Sequence, residues 1–312
     1  MIHPVALIGL GLDAAIGWPN RLYAVIGHPV GGFARVIGAC EARWNQPTRS
    51  FATRRALGGV TLLLLILIAI IAGLAIETLC YALFGRWGWI AAGVFAWPGL
   101  APRSLYTHVR PVARSLGQGH MAAAREAVAQ IVGRDVAALD EAGVARAGIE
   151  SLAESFCDGV AAPLFWLLVA GLPGLWAYKA INTADSLIGH REEPYRAFGW
   201  ASARCDDLFN LIPARLSAVL ICIAGPGGWR VMLRDHRRHA SPNAGWPEAA
   251  MAGALGVALA GPIAYDGVRH DKPWIGGEGR AATAADVTKA LTIYVRACAL
   301  LWLIAGGVIW AL

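Results

Sequence analysis

Residues 60–84, VTLLLLILIAIIAGLAIETLCYALF, decide the fold class of this chain. The run from Leu62 to Ala72 contains no charged residue, and with its flanks the segment is long enough to cross about 30 Å of hydrocarbon as an α-helix. The 312 residues as a whole are 57% hydrophobic and 15% charged, whereas soluble domains carry about 25% charged residues. The sequence therefore predicts an all-α fold, a polytopic bundle of membrane helices.

The positions of the arginines predict how the chain crosses the membrane. A turn at Gly85 and Arg86 joins residues 60–84 to a second apolar arm at 87–100, which predicts a helical hairpin. Both outer ends of this hairpin are rich in arginine, with Arg49, Arg54 and Arg55 before it and Arg103, Arg110 and Arg114 after it. Because positive charge is retained on the cytoplasmic side, we expect both ends to be cytoplasmic.

Further apolar segments occur at residues 164–178, 208–224, 249–264 and 291–312, and the loops between them all carry Lys or Arg. Strict alternation of sides therefore fails, and some segments are expected to re-enter on the same side or to lie buried in protein. Within 164–178, the string Gly171-Leu172-Pro173-Gly174 predicts a break between two half-helices. Amphipathic helices on the cytoplasmic side complete the predicted architecture.

Composition limits the organisation and the partners of the chain. No Ser/Gly/Pro-rich linker is present, which predicts one integral-membrane helical domain over residues 1–312. The first apolar stretch lacks a preceding basic region and is interrupted by Asp13, so no cleaved signal peptide is expected. The six cysteines lack metal or redox spacing and are interpreted as small hydrophobic residues. A net charge of +6 fits anionic substrates or anionic lipid, and the spread of arginines does not indicate nucleic acid.

Three polar clusters fall between residues 150 and 215, which indicates one composite site. A charge beside hydrocarbon costs about 2.5–3.5 kcal/mol, so such residues are functional candidates. The first cluster is ESLAESFCDG at 150–159, and we expect helices at 117–132 and 135–158, with Asp135 as the N-cap of the second. The alternative interpretation is a solvated face on which Arg146 pairs with Glu150. At three- and four-residue spacing, one face carries Gly143, Ala147 and the catalytic candidates Glu150, Glu154 and Asp158.

The second cluster, NTADSLIGH at residues 182–190, follows Lys179. Its side chains offer acceptors, donors and a cation within two helical turns, a set suited to a phosphate or an amide-rich ligand. Alternatively, Asn182 and Ser186 only cap or bridge helices in lipid. Asp185 is a further catalytic candidate, and the substrate-binding candidates are Lys179, Asn182, Ser186 and His190.

The third cluster, RCDDLFN at residues 204–210, offers oxygens of the kind that Mg²⁺ binds when phosphates supply the rest of its shell. The candidate metal ligands are Asp206, Asp207 and Asn210. Arg204 and Arg215 flank them and match phosphate oxygens with their fork of donors. An internal salt bridge between Arg204 and an aspartate is the alternative interpretation.

A fourth stretch, HASPNAGWPE at residues 239–248, is predicted to form a rigid loop. His239, Ser241 and Asn243 are its substrate-binding candidates. The loop follows a basic run that alternatively anchors the chain to anionic lipid. That run consists of Arg230, Arg234, Arg237 and Arg238.

The ordered strings of this chain resemble a known family. They are Leu12-Asp13 with Gly17 and Pro19, His28-Pro29-Val30, the strings at 150–159 and 182–190, DDLFNLIPAR at 206–215 and HASPNAGWPEAAMAGALG at 239–256. Together they resemble the CobD/CbiB family of cobalamin-biosynthesis membrane proteins, the adenosylcobinamide-phosphate synthases. Trp18, Ser155 and Cys157 depart from the family pattern, in which an acidic residue, Asn and Ser are usual, so no direct chemistry is assigned to these three.

The resemblance implies ATP-dependent amide formation between a carboxylate of the corrinoid adenosylcobyric acid and the amine of (R)-1-amino-2-propanol phosphate or a related amino alcohol. ATP would turn the carboxylate oxygen into a leaving group, with Mg²⁺ held at Asp206 and Asp207. The chain lacks a GxxxxGK[ST] loop, so ATP would be held in another way. The resemblance also implies a multi-pass protein of the bacterial inner membrane with a cytoplasmic active face, and other cobalamin-pathway enzymes as partners.

The same reaction needs a base and a phosphate-binding group. The amine is a cation near neutral pH, and the base that removes its proton is expected among Glu154, Asp158 and Asp185. The substrate phosphate is expected at a cation. The candidate cations are Lys179, Arg204 and Arg215.

Two other classes of protein fit parts of the sequence. The Asp206-Asp207 pair would also suit a Mg-dependent membrane phosphotransferase or prenyltransferase, although a second aspartate-rich repeat is lacking. A non-enzymatic transporter or sensor is the other alternative. A transporter would show broken helices in corresponding halves of the chain, whereas the polar clusters here lie in one stretch.

Overall fold

The computed structural model describes residues 4–265, 268–277 and 279–311. These residues form a helical protein with four short strands, so the predicted all-α class is confirmed. In chain order the helices are α1 (Val5–Ile16), α2 (Asn20–Ile26), α3 (Val30–Trp44), α4 (Phe51–Phe84), α5 (Gly88–Ala96), α6 (Pro102–Gly117), α7 (Met121–Ala129), α8 (Glu141–Phe156), α9 (Ala162–Ile188), α10 (Tyr195–Phe198), α11 (Trp200–Phe209), α12 (Leu211–Ala224), α13 (Trp229–Asp235), α14 (Gly245–Leu255) and α15 (Ala284–Ala311).

Three helical stretches of the described chain are long and apolar enough to cross a membrane: Phe51–Gly117, Glu141–Ile188 and Ala284–Val308. The predicted span at residues 60–84 lies inside α4, whose 34 residues measure about 51 Å at 1.5 Å per residue. The second arm of the predicted hairpin is much shorter. Helix α5 has 9 residues and measures about 14 Å, which is about half of the hydrocarbon thickness.

The chain folds into two compact units, each built from separate stretches of sequence. Unit 1 contains the described parts of residues 1–101, 162–210 and 305–312, and unit 2 contains residues 102–161 and the described parts of 211–304. The single domain predicted for residues 1–312 stays a prediction.

Unit 1 is organised around the contact of α4 with α9. Helix α9 is interrupted at Ala170 and at Gly171, which has a φ of 63°, so the break predicted from the Gly-Leu-Pro-Gly string is confirmed. A Cβ added to Gly73 of α4 would lie 2.7 Å from the Cα atom of Pro173. The backbone of α4 therefore lies directly against the break in α9, and only glycine fits there.

In unit 2, two predicted helix boundaries are wrong. Helix α8 begins at Glu141 instead of residue 135, because Asp140, and not Asp135, is its N-cap: the Asp140 carboxylate accepts the Gly143 N–H at 2.8 Å. The helix predicted at 117–132 is divided, since α6 ends at Gly117 and α7 occupies Met121–Ala129. A turn of π-helix at Cys157–Ala161 follows α8.

The apolar segments near the C-terminus also differ from the prediction. The segment 249–264 is helical only to Leu255, because Gly256 adopts a left-handed conformation with a φ of 65° and ends α14. Antiparallel pairs follow, β1 (Leu259–Ala260) with β4 (Trp274–Ile275) and β2 (Ile263–Tyr265) with β3 (Val268–His270). The segment 208–224 is divided between α11 and α12, and 291–312 lies in α15, except for residue 312, which is outside the described residues.

Candidate functional site

A polar pocket of about 190 Å³ lies in unit 2, with walls from α8, α14 and the chain before α8. It gathers carboxylates, cations and a histidine that are far apart in the sequence. Two sequence candidates of the first cluster and one of the fourth stretch meet here. The polar side chains of its wall are Arg134, Glu150, Ser151, Glu154, Ser155, His239, Glu248 and Lys272.

Glu150 is held by several partners. Its carboxylate lies 2.9 Å from Nη2 of Arg134 and 3.8 Å from Nε of Arg146. The backbone N–H of Ala260 donates to it at 2.7 Å. The pairing of Glu150 with Arg146 in the alternative interpretation agrees with the structure, but the face is not solvated, because Gly143 and Ala147 are buried. The catalytic role of Glu150 stays a prediction.

Glu248 faces the same pocket from α14. Its side chain is 5% exposed, and burial, with added repulsion from Glu150 and Glu154, raises the pKa of Glu248 well above its usual range. One carboxylate oxygen lies 3.7 Å from Nε2 of His239. The other ring nitrogen of His239 accepts the Ser241 N–H at 3.0 Å, which fixes the orientation of the imidazole. Glu248 is thus a carboxyl group that binds a proton readily and faces a small cavity.

Arg134 also lines a second and larger cavity of about 1240 Å³ in unit 2. Its side chain is 7% exposed, and its Nε atom is buried without a hydrogen-bond partner among the described residues. Gly143 and Arg146 line the larger cavity too, and the Arg146 guanidinium lies 4.9 Å from the centre of the Trp274 ring. The predicted face with room for a bulky ligand is therefore open at Gly143.

The other candidates of the fourth stretch hold their own loop. The Ser241 hydroxyl accepts the N–H groups of Asn243 at 3.2 Å and of Ala244 at 3.3 Å. The Asn243 side chain is buried and accepts from Nη1 of Arg215 at 3.3 Å. These polar atoms therefore shape the loop that carries His239, and the substrate-binding role of Ser241, Asn243 and Arg215 stays a prediction.

The basic run before this loop is partly neutralised inside the protein. Asp235, which is fully buried, lies 2.8 Å from Nε of Arg234 and 3.2 Å from Nε of Arg238. It also accepts the Gly276 N–H at 2.8 Å, which ties α13 to the turn after β4. Arg234 and Arg238 therefore pair with a carboxylate of the protein. Their positive charge is explained by this pairing without a contact to anionic lipid.

Unit 1 contains a second polar centre, in which the second and third clusters meet. The buried Asp206 accepts from Nδ2 of Asn182 at 3.3 Å and from Nδ2 of Asn210 at 3.0 Å. The Tyr178 hydroxyl donates to Oδ1 of Asn210 at 3.0 Å. Burial, and then the positive charge of Lys179, lowers the pKa of His28, so these two side chains lie within electrostatic range of each other.

The remaining candidates of the second and third clusters lie at or near the surface of unit 1, and Asp158 of the first cluster lies in unit 2. Asp207 pairs with Arg204 at 3.3 Å, as the salt-bridge alternative predicts. The Ser186 hydroxyl donates to the Asn182 carbonyl of its own helix at 2.9 Å. Of the other three, Asp185 packs against Gly189, His190 lies against the ring of Tyr195, and Asp158, in unit 2, lies in the half-buried π-helical turn.

The donor set for Mg²⁺ is smaller than the sequence predicts. Asp206 and Asp207 have different partners and different burial, and Oδ1 of Asn210 already accepts from Tyr178. Within the described residues no group of three or more His, Cys, Asp and Glu side chains is placed to hold a metal ion. Asp206 is buried, and both of its carboxylate oxygens accept hydrogen bonds from amide groups. Binding of Mg²⁺ at this residue stays a prediction.

Sequence reasoning did not identify three residues of the polar pocket: Arg134, Glu248 and Lys272. A signal existed for Glu248, which is the only charged residue of the otherwise apolar α14. Arg134 and Lys272 had no such signal, because they come from loops whose partners are distant in the sequence.

The similarity to known proteins agrees with the strings quoted above. A family profile described as "CobD/Cbib protein" matches residues 6–294. This chain belongs to the CobD/CbiB family. It is 48% identical to "Cobalamin biosynthesis protein CobD" of Rhodobacter capsulatus over 313 residues, 98% of this chain and 97% of that one. For the proteins of the same name the values are 47% over 304 residues in Sinorhizobium sp, 94% of each chain, and 45% over 307 residues in Rhizobium meliloti (strain 1021), 95% and 94%. No solved structure matches the chain. Family membership supports a biosynthetic role in cobalamin biosynthesis.

Proposed function

We propose that this chain joins a carboxylate of adenosylcobyric acid to the amine of (R)-1-amino-2-propanol phosphate, or of a related amino alcohol, in an ATP-dependent reaction that gives adenosylcobinamide phosphate. The observation that carries this proposal is the pairing of two cavities in unit 2 that share Arg134. One is small and polar, the other large and mainly apolar. Together they suit a small amine and a macrocycle that must react with each other.

The small pocket supports recognition of the amine. An ammonium group is attracted by Glu154 and Glu248, while Glu150 is already paired with arginine. Before it can attack, the ammonium must lose a proton, and a general base works best when its pKa is close to the operating pH. Glu248, whose pKa is raised by burial and by neighbouring carboxylates, is the group that fits this role.

The large cavity supports binding of the corrinoid. Its volume of about 1240 Å³ exceeds the roughly 300–1,000 Å³ of ordinary ligand pockets, as a macrocycle requires. Arg134 lines both cavities, and its buried Nε atom has a donor to offer. We propose that Arg134 binds the corrinoid carboxylate that is to be coupled, because guanidinium groups bind carboxylates through paired N–H donors.

The carboxylate must be activated before an amine displaces its oxygen. ATP is the proposed phosphoryl donor: its γ-phosphoryl group is transferred to the carboxylate, which gives an acyl phosphate and ADP. The amine, once deprotonated, then attacks the acyl carbon, which forms the amide and releases phosphate. When bound, Mg²⁺ would stabilise charge on the phosphoryl oxygens. Asp206 is the residue that would hold it, with the amides of Asn182 and Asn210 orienting the carboxylate.

We place the reaction on the cytoplasmic face of the bacterial inner membrane, where ATP and the substrates are found. The three apolar helical stretches support residence in a membrane. Adenosylcobyric acid, the amino alcohol phosphate and membrane lipid are the proposed partners, and other enzymes of the pathway are proposed to deliver or take up the corrinoid.

The test is an assay of the protein purified in detergent with ATP, Mg²⁺, adenosylcobyric acid and aminopropanol phosphate. We expect mass spectrometry to detect adenosylcobinamide phosphate only when all components are present, together with a matching release of phosphate. Omission of ATP or of the amine, and the Glu248→Gln variant, are the controls. Folded protein that forms no amide, or that forms it without ATP, would overturn the proposal.

A further inference from the structure

A third cavity of unit 2, about 580 Å³ in volume, lies between α6 and α15. It shares no lining residue with the two cavities described above, and the proposed reaction makes no use of it. Its wall combines three arginines with hydroxyl groups and aliphatic side chains. The polar members are Tyr106, Arg110, Arg114, Thr288, Thr292 and Arg296, and we call this cavity the arginine groove.

Helical spacing explains why the polar side chains of the arginine groove converge. Arg110 and Arg114 are four residues apart on α6, so they lie one above the other on one face. Thr288, Thr292 and Arg296 follow the same four-residue spacing on α15. The Tyr294 hydroxyl of α15 donates to the Pro102 carbonyl at the start of α6 at 2.7 Å, which holds the two helices together.

The three guanidinium groups of the arginine groove lack carboxylate partners among the described residues, as the ion pairs of the chain lie elsewhere. Within the part of the chain that the structure describes, the one hydrogen bond of these arginines runs from Nη1 of Arg296 to the Ala224 carbonyl, at 3.4 Å. The dipole of α6 favours a cation at Arg114 in its last turn, but it does not account for Arg110 or Arg296. All three arginines are exposed, so solvent screens part of their mutual repulsion, and a bound anion reduces the part that remains.

We propose that the arginine groove binds the phosphate of an anionic phospholipid headgroup. Guanidinium forks match phosphate oxygens, and the threonine hydroxyls add weaker partners. Two observations favour lipid over a soluble phosphate compound. Helix α15 belongs to a stretch that can cross a membrane, and Arg110 and Arg114 lie at the end of the first apolar hairpin that is expected to be cytoplasmic. Ala113, Leu291 and Val295 give the groove an apolar wall suited to the start of an acyl chain.

The test measures lipid-dependent stability of the full chain in detergent, and it is independent of amide formation. Thermal melting is recorded with increasing dihexanoyl-phosphatidylglycerol, with dihexanoyl-phosphatidylcholine, and with glycerol phosphate or inorganic phosphate. We expect the melting temperature to rise with phosphatidylglycerol alone, because a ligand that binds only the folded state stabilises it by mass action. Native mass spectrometry of the purified protein should detect the co-purified anionic lipid.

Variants locate the effect in the arginine groove. Each basic side chain near anionic lipid contributes about 1 kcal/mol, or about a fivefold change in affinity. The double variant Arg110→Gln, Arg114→Gln should therefore raise the phosphatidylglycerol concentration that gives half of the stabilisation by about 25-fold. Arg296→Gln alone should raise it by about fivefold. The matched control, Arg43→Gln with Arg49→Gln, removes the same charge from exposed positions outside the groove and should leave the midpoint unchanged.

Four results would overturn the proposal. Two are an equal rise in melting temperature with phosphatidylcholine, and a rise with glycerol phosphate or inorganic phosphate but none with phosphatidylglycerol. The others are no rise with any of these compounds, and a loss of phosphatidylglycerol affinity in the control pair equal to that in the groove variants. If the double variant does not fold, the proposal is tested by Arg296→Gln, which should show the fivefold change. It is tested as well by the mass of the co-purified lipid, which should be that of an anionic phospholipid.

Discussion

The side-chain amide of Asn182 donates to Oδ1 of Asp206 at 3.3 Å, across 24 residues of chain. This bond joins α9 to α11, and with Asn210 it gives the buried carboxylate two amide partners. The neighbouring Asp207 has a different environment, since it pairs with Arg204 and is more exposed. Two adjacent aspartates that look equivalent in the sequence are thus separated by their surroundings.

Substitution of each aspartate should separate the proposed ion-binding role from a salt-bridge role. We expect Asp206→Asn to raise the Mg²⁺ concentration for half-maximal amide formation by at least about tenfold, the scale seen when partners of a metal site are lost. Asp207→Asn is the matched control and should leave that concentration unchanged. Activity against Mg²⁺ is measured together with thermal melting in detergent. An unshifted Mg²⁺ curve in Asp206→Asn would remove the assignment.

Glu248→Gln should lower the rate and raise the stability in the same molecule. Loss of a general base lowers turnover by about 10²–10⁴-fold. Because the pKa of Glu248 is raised in the folded protein, the folded state holds this proton more tightly than the unfolded chain. The contribution of Glu248 to the free energy of unfolding is therefore fully present below about pH 4.3, the pKa in the unfolded chain. It is lost as the pH rises through the higher pKa of the folded state.

The melting temperature of Glu248→Gln should therefore exceed that of the wild type by a margin that grows with pH. The matched control is Glu126→Gln, which changes an exposed glutamate of α7 and should alter neither rate nor melting. Wild-type turnover in Glu248→Gln would exclude this residue as the base.

Arg134→Met should destabilise the protein and abolish coupling, and the two effects can be separated. Breaking a buried ion pair costs about 3–5 kcal/mol, and the partners that Glu150 keeps reduce the expected loss to about 2–3 kcal/mol. Adding Glu150→Gln should restore much of the stability, which denaturation in detergent measures. Amide formation should stay low in the double variant. If it recovers with stability, Arg134 only holds Glu150 and does not bind the corrinoid carboxylate.

Two glycines of α4 should respond in opposite directions to the same substitution. Gly73→Ala places a Cβ 2.7 Å from backbone atoms of Pro173, and such overpacking costs about 1–3 kcal/mol. Gly59 has no atom within 4 Å of its added Cβ, so Gly59→Ala should stabilise the helix by up to about 1 kcal/mol. Melting in detergent compares them, and equal effects would contradict the close contact of α4 with α9.

Cysteine labelling should report the sides of the membrane on which the chain emerges. Four native cysteines are buried, and Cys205 and Cys298 are changed to serine in the background. We expect Arg86→Cys to react with an impermeant thiol reagent in intact cells, and Arg191→Cys to react only after permeabilisation. Reaction of Arg191→Cys in intact cells would refute both the cytoplasmic assignment and the re-entrant interpretation of residues 164–178.

Local features of the fold could be predicted from the sequence. The apolar run inside α4 and the break at Gly171 depend on composition and on backbone preferences over a few residues. The end of α14 could not be placed by hydrophobicity, because Gly256 ends the helix inside an apolar segment and short strands follow. The N-cap of α8 was assigned to the wrong aspartate, since both Asp135 and Asp140 precede the helix.

The candidate site was only partly predictable, because its partners are distant in the sequence. Glu150, Glu154 and His239 were identified by their polar strings, while Arg134 and Lys272 enter the pocket from loops. The difference between Asp206 and Asp207 could have been anticipated, since adjacent helical residues point about 100° apart. The environment of each aspartate depends on α9, which a single sequence does not place.

The hydrogen bond from the Ala260 N–H to Glu150 joins residues that are 110 positions apart in the sequence. During synthesis, Glu150 therefore waits for this partner until Ala260 has been made. At about 5–20 residues per second, a ribosome needs roughly 6–22 s to produce Ala260 after Glu150. Throughout this interval Arg134 and Arg146 are the cations near Glu150 that can neutralise its charge. The two arginines therefore act as resident counter-ions for an unfinished chain, and their loss should increase its capture by membrane proteases before Ala260 has been made.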